Sequence, residues 1–249
     1  VSKNEKEHLV VYRDLNISVV IPCFNEEHGL QHVLQGMPDY VDEVIVVDNN
    51  STDETARVAR DNGAHVIFEQ RKGYGRAYQA GLPVATGDII ATVDGDGTYP
   101  SHAIAHIVDV MLERELDFVS ANRFPLLNRR AMRFRNWFGN QVLTYAFRLL
   151  YWYWIIDSQS GMWVFRRHCL THIRPTHPGM AFSEEIKIEA LQARALRFGE
   201  VHVHYSERIG ETKLYTWRDG WSNLVFLLRR RLGRVARPAP EPAQSLESD

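Results

Sequence analysis

The sequence predicts an α/β fold with a mostly parallel sheet and helices on both faces. Two patterns carry this expectation. Strand-like and helix-like segments alternate four times in the first hundred residues, as successive βα units do. Several apolar runs also end abruptly in polar loops, as buried strands do when they deliver side chains to one sheet edge.

The elements follow in order. Ile17–Ile21 reads as a strand closed by Pro22, and Glu27 to Met37 as a helix. Glu43–Val47 is apolar almost throughout and ends in the polar cluster Asp48–Asp53, whose Ser51 or Thr52 can cap the next helix. His65–Phe68 is a short strand, Lys72–Gly75 a glycine-rich loop, and Arg76 to Ala85 a helix. The β-branched run through Ile89, Ile90 and Val93 stops at Asp94-Gly95-Asp96-Gly97-Thr98-Tyr99-Pro100, so two carboxylates one residue apart sit at a strand's carboxyl end. Ser101 to Glu115 has helical apolar spacing, and Asp117–Ser120 is a further strand leading to Asn122 and Arg123.

Beyond residue 123 the character changes. Asn128 to Arg135 holds four arginines, and Trp137 to Ile156 is aromatic and aliphatic with Arg148 inside it. Met162–Phe165 reads as a strand, Phe182–Leu196 as a helix and Val201–Tyr205 as a strand. Thr216 to Leu232 is an amphipathic helix rich in arginine at its end. The expected organisation is an extension over 1–15, one main domain over 16–215, a helix over 216–236 and a disordered Pro-, Glu- and Ser-rich tail over 237–249.

Composition narrows the function classes. A chain of 249 residues with 45% apolar and 24% charged residues can bury a substantial core. A net charge of −2 gives no global case for nucleic acid, so an anionic partner has to be met by a local patch. Cys23 and Cys169 form neither a disulfide framework nor a zinc pattern, and a reducing cytoplasm is the simpler expectation. No run of 18 uninterrupted apolar residues is present, and Val1 to Asn16 lacks the apolar core of a signal peptide.

The polar loops carry the chemistry. Asp94 and Asp96 suit a divalent cation held against a diphosphate, although Asp and Gly are also ordinary turn residues. Asp48 can accept hydrogen bonds from a ribose or a base, while Thr52 and Asp53 read as capping residues. Lys72 and Gly73 lie where backbone amides can approach a phosphate, or simply in a tight turn. Arg123, Arg208 and Lys213 are loop cations able to meet a phosphate, though each singly also reads as a surface charge. Glu184 and Glu185 open a helix whose dipole favours them, and either could instead serve as a catalytic base. The arginines of 129–135 beside an aromatic segment fit a membrane interface as well as a basic cap on a core helix. His202 and His204 share a strand face but lack a third metal ligand. Tyr78 stands where a dinucleotide fingerprint needs its third glycine, and no Walker loop occurs, so a dehydrogenase and a P-loop NTPase are both disfavoured.

Taken in order and spacing, these segments resemble the family-2 inverting glycosyltransferases of the GT-A fold, in particular the dolichyl- or polyprenyl-phosphate sugar synthases. The resemblance covers roughly residues 16–215. It runs through Val20–Glu26, Val46–Thr55, Lys72–Gly75, Asp94–Pro100, Asn122-Arg123, Asp157–Gly161, Phe182–Glu185 and Arg208–Leu214. It implies that Pro22, Asn25, Glu26, Asp48, Lys72, Gly73, Asp94, Gly95 and Asp96 bind a nucleotide-sugar, with Mg²⁺ or Mn²⁺ on Asp94 and Asp96. Arg123, Arg208 and Lys213 would meet the donor diphosphate or the acceptor phosphate, which puts Asp96 and Arg123 in the catalytic machinery. The Asp94–Pro100 form looks more like users of UDP-sugars than of GDP-mannose.

An ionised phosphate acceptor needs no base, whereas a sugar hydroxyl does, and Glu184 or Glu185 would supply it. Thr98 stands where many lipid-phosphate members carry Gln. These residues hold no pair of membrane helices, so Trp137–Ile156 and the C-terminal arginine helix would supply peripheral membrane contact for a polyprenyl-phosphate acceptor. A small soluble acceptor, such as a sugar-nucleoside, is the alternative. A non-catalytic membrane-surface protein on the same fold is the alternative of another class.

Overall fold

A computed structural model describes residues 12–210 and 216–233. Its centre is a seven-stranded sheet. The strands are β1 (Ile17–Cys23), β2 (Glu43–Asp48), β3 (His65–Phe68), β4 (Ile89–Thr92), β5 (Phe118–Asn122), β6 (Trp163–Arg166) and β7 (Phe198–His202), in the spatial order β3-β2-β1-β4-β6-β5-β7. All neighbours are parallel except around β6, which runs antiparallel to both β4 and β5. The inverted β6 matters for function. Its beginning, not its end, lies beside the carboxyl ends of β4 and β5, so the loop before it joins the same sheet edge.

Strand alternation divides the core between the two faces. Val19 and Ile21 of β1 pack with the residues of α1 (Glu27–Gln35) and α4 (Ala103–Glu113) on one side. Val20, Ile45 and Val47 pack with α3 (Tyr74–Gly81) and α6 (Phe182–Gln192) on the other. A third cluster joins α5 (Phe134–Tyr151) to α7 (Thr216–Arg231) through Phe147, Tyr151, Phe226 and Leu227. The mostly parallel sheet with helices on both faces is the architecture expected from the sequence.

Local differences have local causes. Helix α2 begins at Thr55, because Ser51 and Thr52 bond to the Asn25 loop and Asp53 accepts from the Thr55 amide instead. Strand β7 starts at Phe198 rather than Val201, because its parallel register on β5 pairs Phe198 with Phe118 and stacks their rings 5.7 Å apart. Helix α3 begins at Tyr74, and a 3₁₀ turn over Leu82–Val84 replaces its expected end, with Pro83 inside it. Among the described residues no helix is long and apolar enough to cross a membrane.

Candidate active site

The strand ends place the polar loops together. Asp94 and Asp96 follow β4, Phe24–Glu26 follow β1, Asp48 and Asn49 close β2, and Asp157–Gly161 precede the inverted β6. Asp96 is buried and fully engaged. Its Oδ1 accepts from the Thr98 amide at 3.0 Å and the Thr98 hydroxyl at 2.6 Å, and its Oδ2 accepts from Arg208 Nη1 at 2.5 Å. Thr98 therefore acts on Asp96 itself, holding its Oδ1. Arg208 spans two acids, since its Nη2 also pairs with Glu26. The Ile209 amide bonds to the Asp96 carbonyl at 2.9 Å, which ties the arginine's loop to the acidic turn.

Asp94 accepts from the Tyr74 hydroxyl at 3.3 Å. Burial and then the Asp96 charge push its pKa up to about 7, with Arg208 and Arg123 pulling the other way. Two carboxylates crowded in this way are a charge problem that a cation relieves. The acidic turn sits directly on helix α1, whose Gly29 is the reason it can. A Cβ on Gly29 would lie 2.6 Å from the Gly95 carbonyl oxygen and 2.9 Å from Asp96 Cα. On the other side, a Cβ on Gly161 would lie 2.3 Å from the Tyr74 hydroxyl and 3.3 Å from both Asp94 oxygens.

The loops after β1, β2 and β3 are stitched to one another. Asn25, at φ 54°, donates its amide to Ser51 Oγ at 2.9 Å and accepts from the Thr52 amide at 2.7 Å. Asp48 Oδ1 accepts from the Ser51 amide at 3.0 Å, so one of its oxygens serves the loop. Lys72 lies 4.2 Å from the Phe24 ring centroid, and the Gly73 amide donates to Asn49 Oδ1 at 2.7 Å. Asn49 also donates to the carbonyls of Glu69 and Arg71, which makes it the clamp on the glycine-rich loop. Pro22 is half-buried within β1, and Gly95 is buried between the two acids.

Other candidates take different places. Arg123 is buried, with Nε on Asp157 Oδ2 at 2.6 Å and Nη2 on Asp157 Oδ1 at 2.9 Å. Burial opposes the Asp157 charge, but Arg123 outweighs it and holds the carboxyl below its ordinary range. Glu184 and Glu185 are both fully buried. Glu185 accepts from the Thr176 and His177 amides and from Arg230 of α7, so it fastens a loop and a helix. Glu184 accepts from Gln159 Nε2 at 2.5 Å, its Oε2 has no partner among the described residues, and burial pushes its pKa up to about 8. Lys213 lies outside the described residues. His202 Nε2 lies 3.0 Å from the Pro125 carbonyl oxygen, a structural contact.

Sequence reasoning missed Lys187. Its Nζ donates to the carbonyls of Asp157, Ser158 and Ser160 at 3.2, 2.9 and 2.7 Å, and burial pulls its pKa down to about 8. Nothing local distinguishes this lysine from a solvated one. Only the all-round burial of α6 over 182–188 turns it inward.

Among the described residues no three His, Cys, Asp or Glu side chains gather as a metal cage. Asp94 and Asp96 nevertheless fit a divalent cation. They offer hard oxygens, and burial together with the Asp96 charge pushes Asp94 toward protonation, which a cation would relieve. A site of this kind takes its remaining ligands from a bound diphosphate and water.

Comparisons with known proteins bear on the family and the fold. A low-salt glycan biosynthesis hexosyltransferase of Haloferax volcanii is 31% identical over 219 residues, 85% of this chain and 53% of that protein. The chain thus spans about half the length of that relative. A dolichyl-phosphate hexose transferase of the same organism is 31% identical over 82% of this chain and 89% of its own length. Glucosyl-3-phosphoglycerate synthase from Mycobacterium tuberculosis, solved with Mn²⁺, UDP-glucose and phosphoglyceric acid, superposes with a TM-score of 0.70 at 23% identity. The match covers 89% of this chain and 81% of that one, which establishes the GT-A fold. The family model described as glycosyl transferase family 2 matches residues 18–174, so the chain belongs to that family and is a glycosyltransferase.

Proposed function

We propose that the chain moves one hexose or N-acetylhexosamine, with inversion, from a UDP-linked donor to polyprenyl or dolichyl phosphate, with Mg²⁺ or Mn²⁺ on Asp94 and Asp96. The observation that carries this reading is the acidic pair at the end of β4, bracketed by Arg208 and backed by Arg123. The name of the dolichyl-phosphate hexose transferase relative supports the acceptor, and the UDP complexes of the structural neighbour support the donor.

The chain's own residues have distinct tasks in this scheme. The loops fixed by Asn25, Asp48 and Asn49 shape the nucleotide side, with Lys72 above Phe24 at its rim. Arg208 sits where a leaving diphosphate gains charge, and a preorganised guanidinium there stabilises that charge without reorganisation. When bound, the divalent cation supplies Lewis-acid stabilisation of the same charge. A phosphate acceptor arrives ionised and attacks unaided. The burial of Glu184 and Glu185 fits a reaction that asks for no base.

The test is sugar transfer from UDP-glucose and UDP-N-acetylglucosamine to a polyprenyl phosphate with Mn²⁺. Asp96→Ala should lower turnover at least about 10²–10³-fold, the scale of losing a main electrostatic stabiliser. Full activity in excess chelator, or transfer confined to a soluble sugar hydroxyl, would overturn the proposal.

A further inference from the structure

The outer face of α5 is apolar although nothing among the described residues covers it. Phe134, Phe138, Val142, Tyr145 and Leu149 are all exposed and recur at three- and four-residue spacing. They therefore form one stripe, about 22 Å long at 1.5 Å per residue. Leu143, Phe147 and Tyr151, on the opposite face, do the packing against the domain. The helix is apolar on two faces, and only one of them packs against other described residues.

The stripe continues past the helix end. Trp152 caps α5 at φ 63°, a left-handed conformation that a bulky residue adopts only under constraint, and its ring is 82% exposed. Trp154 is 88% exposed. Arg148 lies 5.2 Å from the Trp154 ring and donates to the Ile155 carbonyl at 2.6 Å, so the turn that presents these rings is held in place. Helix α7 adds exposed Trp221 and Leu228, and Leu232 just past its end is exposed as well.

Charge decides what covers this face. From Phe118 to Ile156 the chain has six arginines and no aspartate or glutamate, although the protein's net charge is −2. Arg129, Arg130, Arg133 and Arg135 are exposed at the start of the stripe, and none forms an ion pair among the described residues. A second copy meeting this face through its own like face would set arginines against arginines. A bilayer with anionic headgroups meets both demands, because aromatic rings settle at the headgroup level and arginines bind the phosphates.

We infer that α5 with its Trp152–Trp154 turn, aided by α7, is a docking face that lies in the surface of an anionic lipid bilayer without crossing it. This names the partner surface of the proposed transferase but stands on the face alone. A chain that binds such vesicles and glycosylates only a soluble acceptor would keep the inference and lose the polyprenyl-phosphate reading.

Flotation of the full chain with vesicles of phosphatidylcholine, alone or with about a third phosphatidylglycerol, tests it. Partition should be at least about tenfold stronger on the anionic vesicles and weaken as salt rises. Replacing Arg129, Arg130, Arg133 and Arg135 by Gln should bring it down to the neutral-vesicle level. Trp152→Ser with Trp154→Ser should lower partition on both vesicle types by about tenfold or more, since two interfacial anchors are lost. All six side chains are exposed, so thermal unfolding should be unchanged, and Arg129→Gln with Arg130→Gln is the milder fallback. Equal partition on the two vesicle types, no partition on either, or a stable dimer with tryptophan emission already blue-shifted would each overturn the inference.

Discussion

Glu184→Gln should make the protein more stable at alkaline pH while leaving it nearly unchanged in acid. Burial raises the Glu184 pKa from an ordinary 4.5 to about 8 in the fold. The folded state therefore holds a proton on this side chain between those values, where the unfolded chain has lost it. Stability from this group is fully present below about pH 4.5 and declines as pH rises through the window to about pH 8. At about 1.4 kcal/mol per pKa unit the full loss is bounded near 5 kcal/mol, of which about 3 falls between pH 5 and pH 8. Glutamine mimics the protonated acid closely. It keeps an acceptor for Gln159 Nε2, and its amide nitrogen takes the place of Oε2, which has no partner to lose. Denaturant unfolding of both proteins at pH 5 and pH 8 should show a gap near zero at pH 5 and about 2–4 kcal/mol in favour of the variant at pH 8. Asp94 and the other buried acids titrate in both proteins and cancel in the difference. Parallel pH profiles would refute the reasoning, because Glu184 would then be ionised in the fold.

Two further substitutions probe the frame of the site. Lys187→Met removes a buried ammonium that bonds three carbonyls of the 157–160 segment, and should cost about 3–5 kcal/mol in urea unfolding; a loss under about 1 kcal/mol would mean that the loop holds itself. Gly29→Ala drives a Cβ into the backbone of the acidic turn and should cost about 1–3 kcal/mol and weaken UDP–Mn²⁺ binding. Gly139→Ala, with open space around its site on α5, should be neutral or stabilise by up to about 1 kcal/mol. Calorimetric titration and melting on the two alanine variants check this pair, and equal effects would contradict the packing argument.

What could be read from the sequence was what depends on neighbours along the chain. The runs before Asp48 and Asp94 announced buried strands, and the abrupt carboxylates announced the sheet edge, because apolar periodicity and turn chemistry are local. The roles of partners distant in sequence were not legible. Arg123 looked like any loop cation until the inverted β6 brought Asp157 beside it. Glu184 and Glu185 looked like a helix opening onto a site, yet residues 182–188 of α6 are buried against α7, the 174–179 segment and the sheet. The aromatic stretch after Trp137 was visible, but its division into an inner and an outer stripe appears only once the packing of α5 on α7 is known.

The segment Asp157–Gly161 joins these findings. Its Gly161 end lies so close to Tyr74 and Asp94 that a Cβ there would crowd them, and Arg123 and Lys187 pin its start. The two helices of the outer face each send one buried polar side chain to the same segment. Thr144 of α5 accepts from the Ser158 amide at 3.1 Å, and Asn223 of α7 donates to Gln159 Oε1 at 2.9 Å. Gln159 then bonds Glu184. A surface that seats α5 and α7 thus fixes the partners of a loop whose other end packs against the acidic pair. Those hydrogen bonds tie α5 and α7 to the segment whose Gly161 end lies close to Asp94.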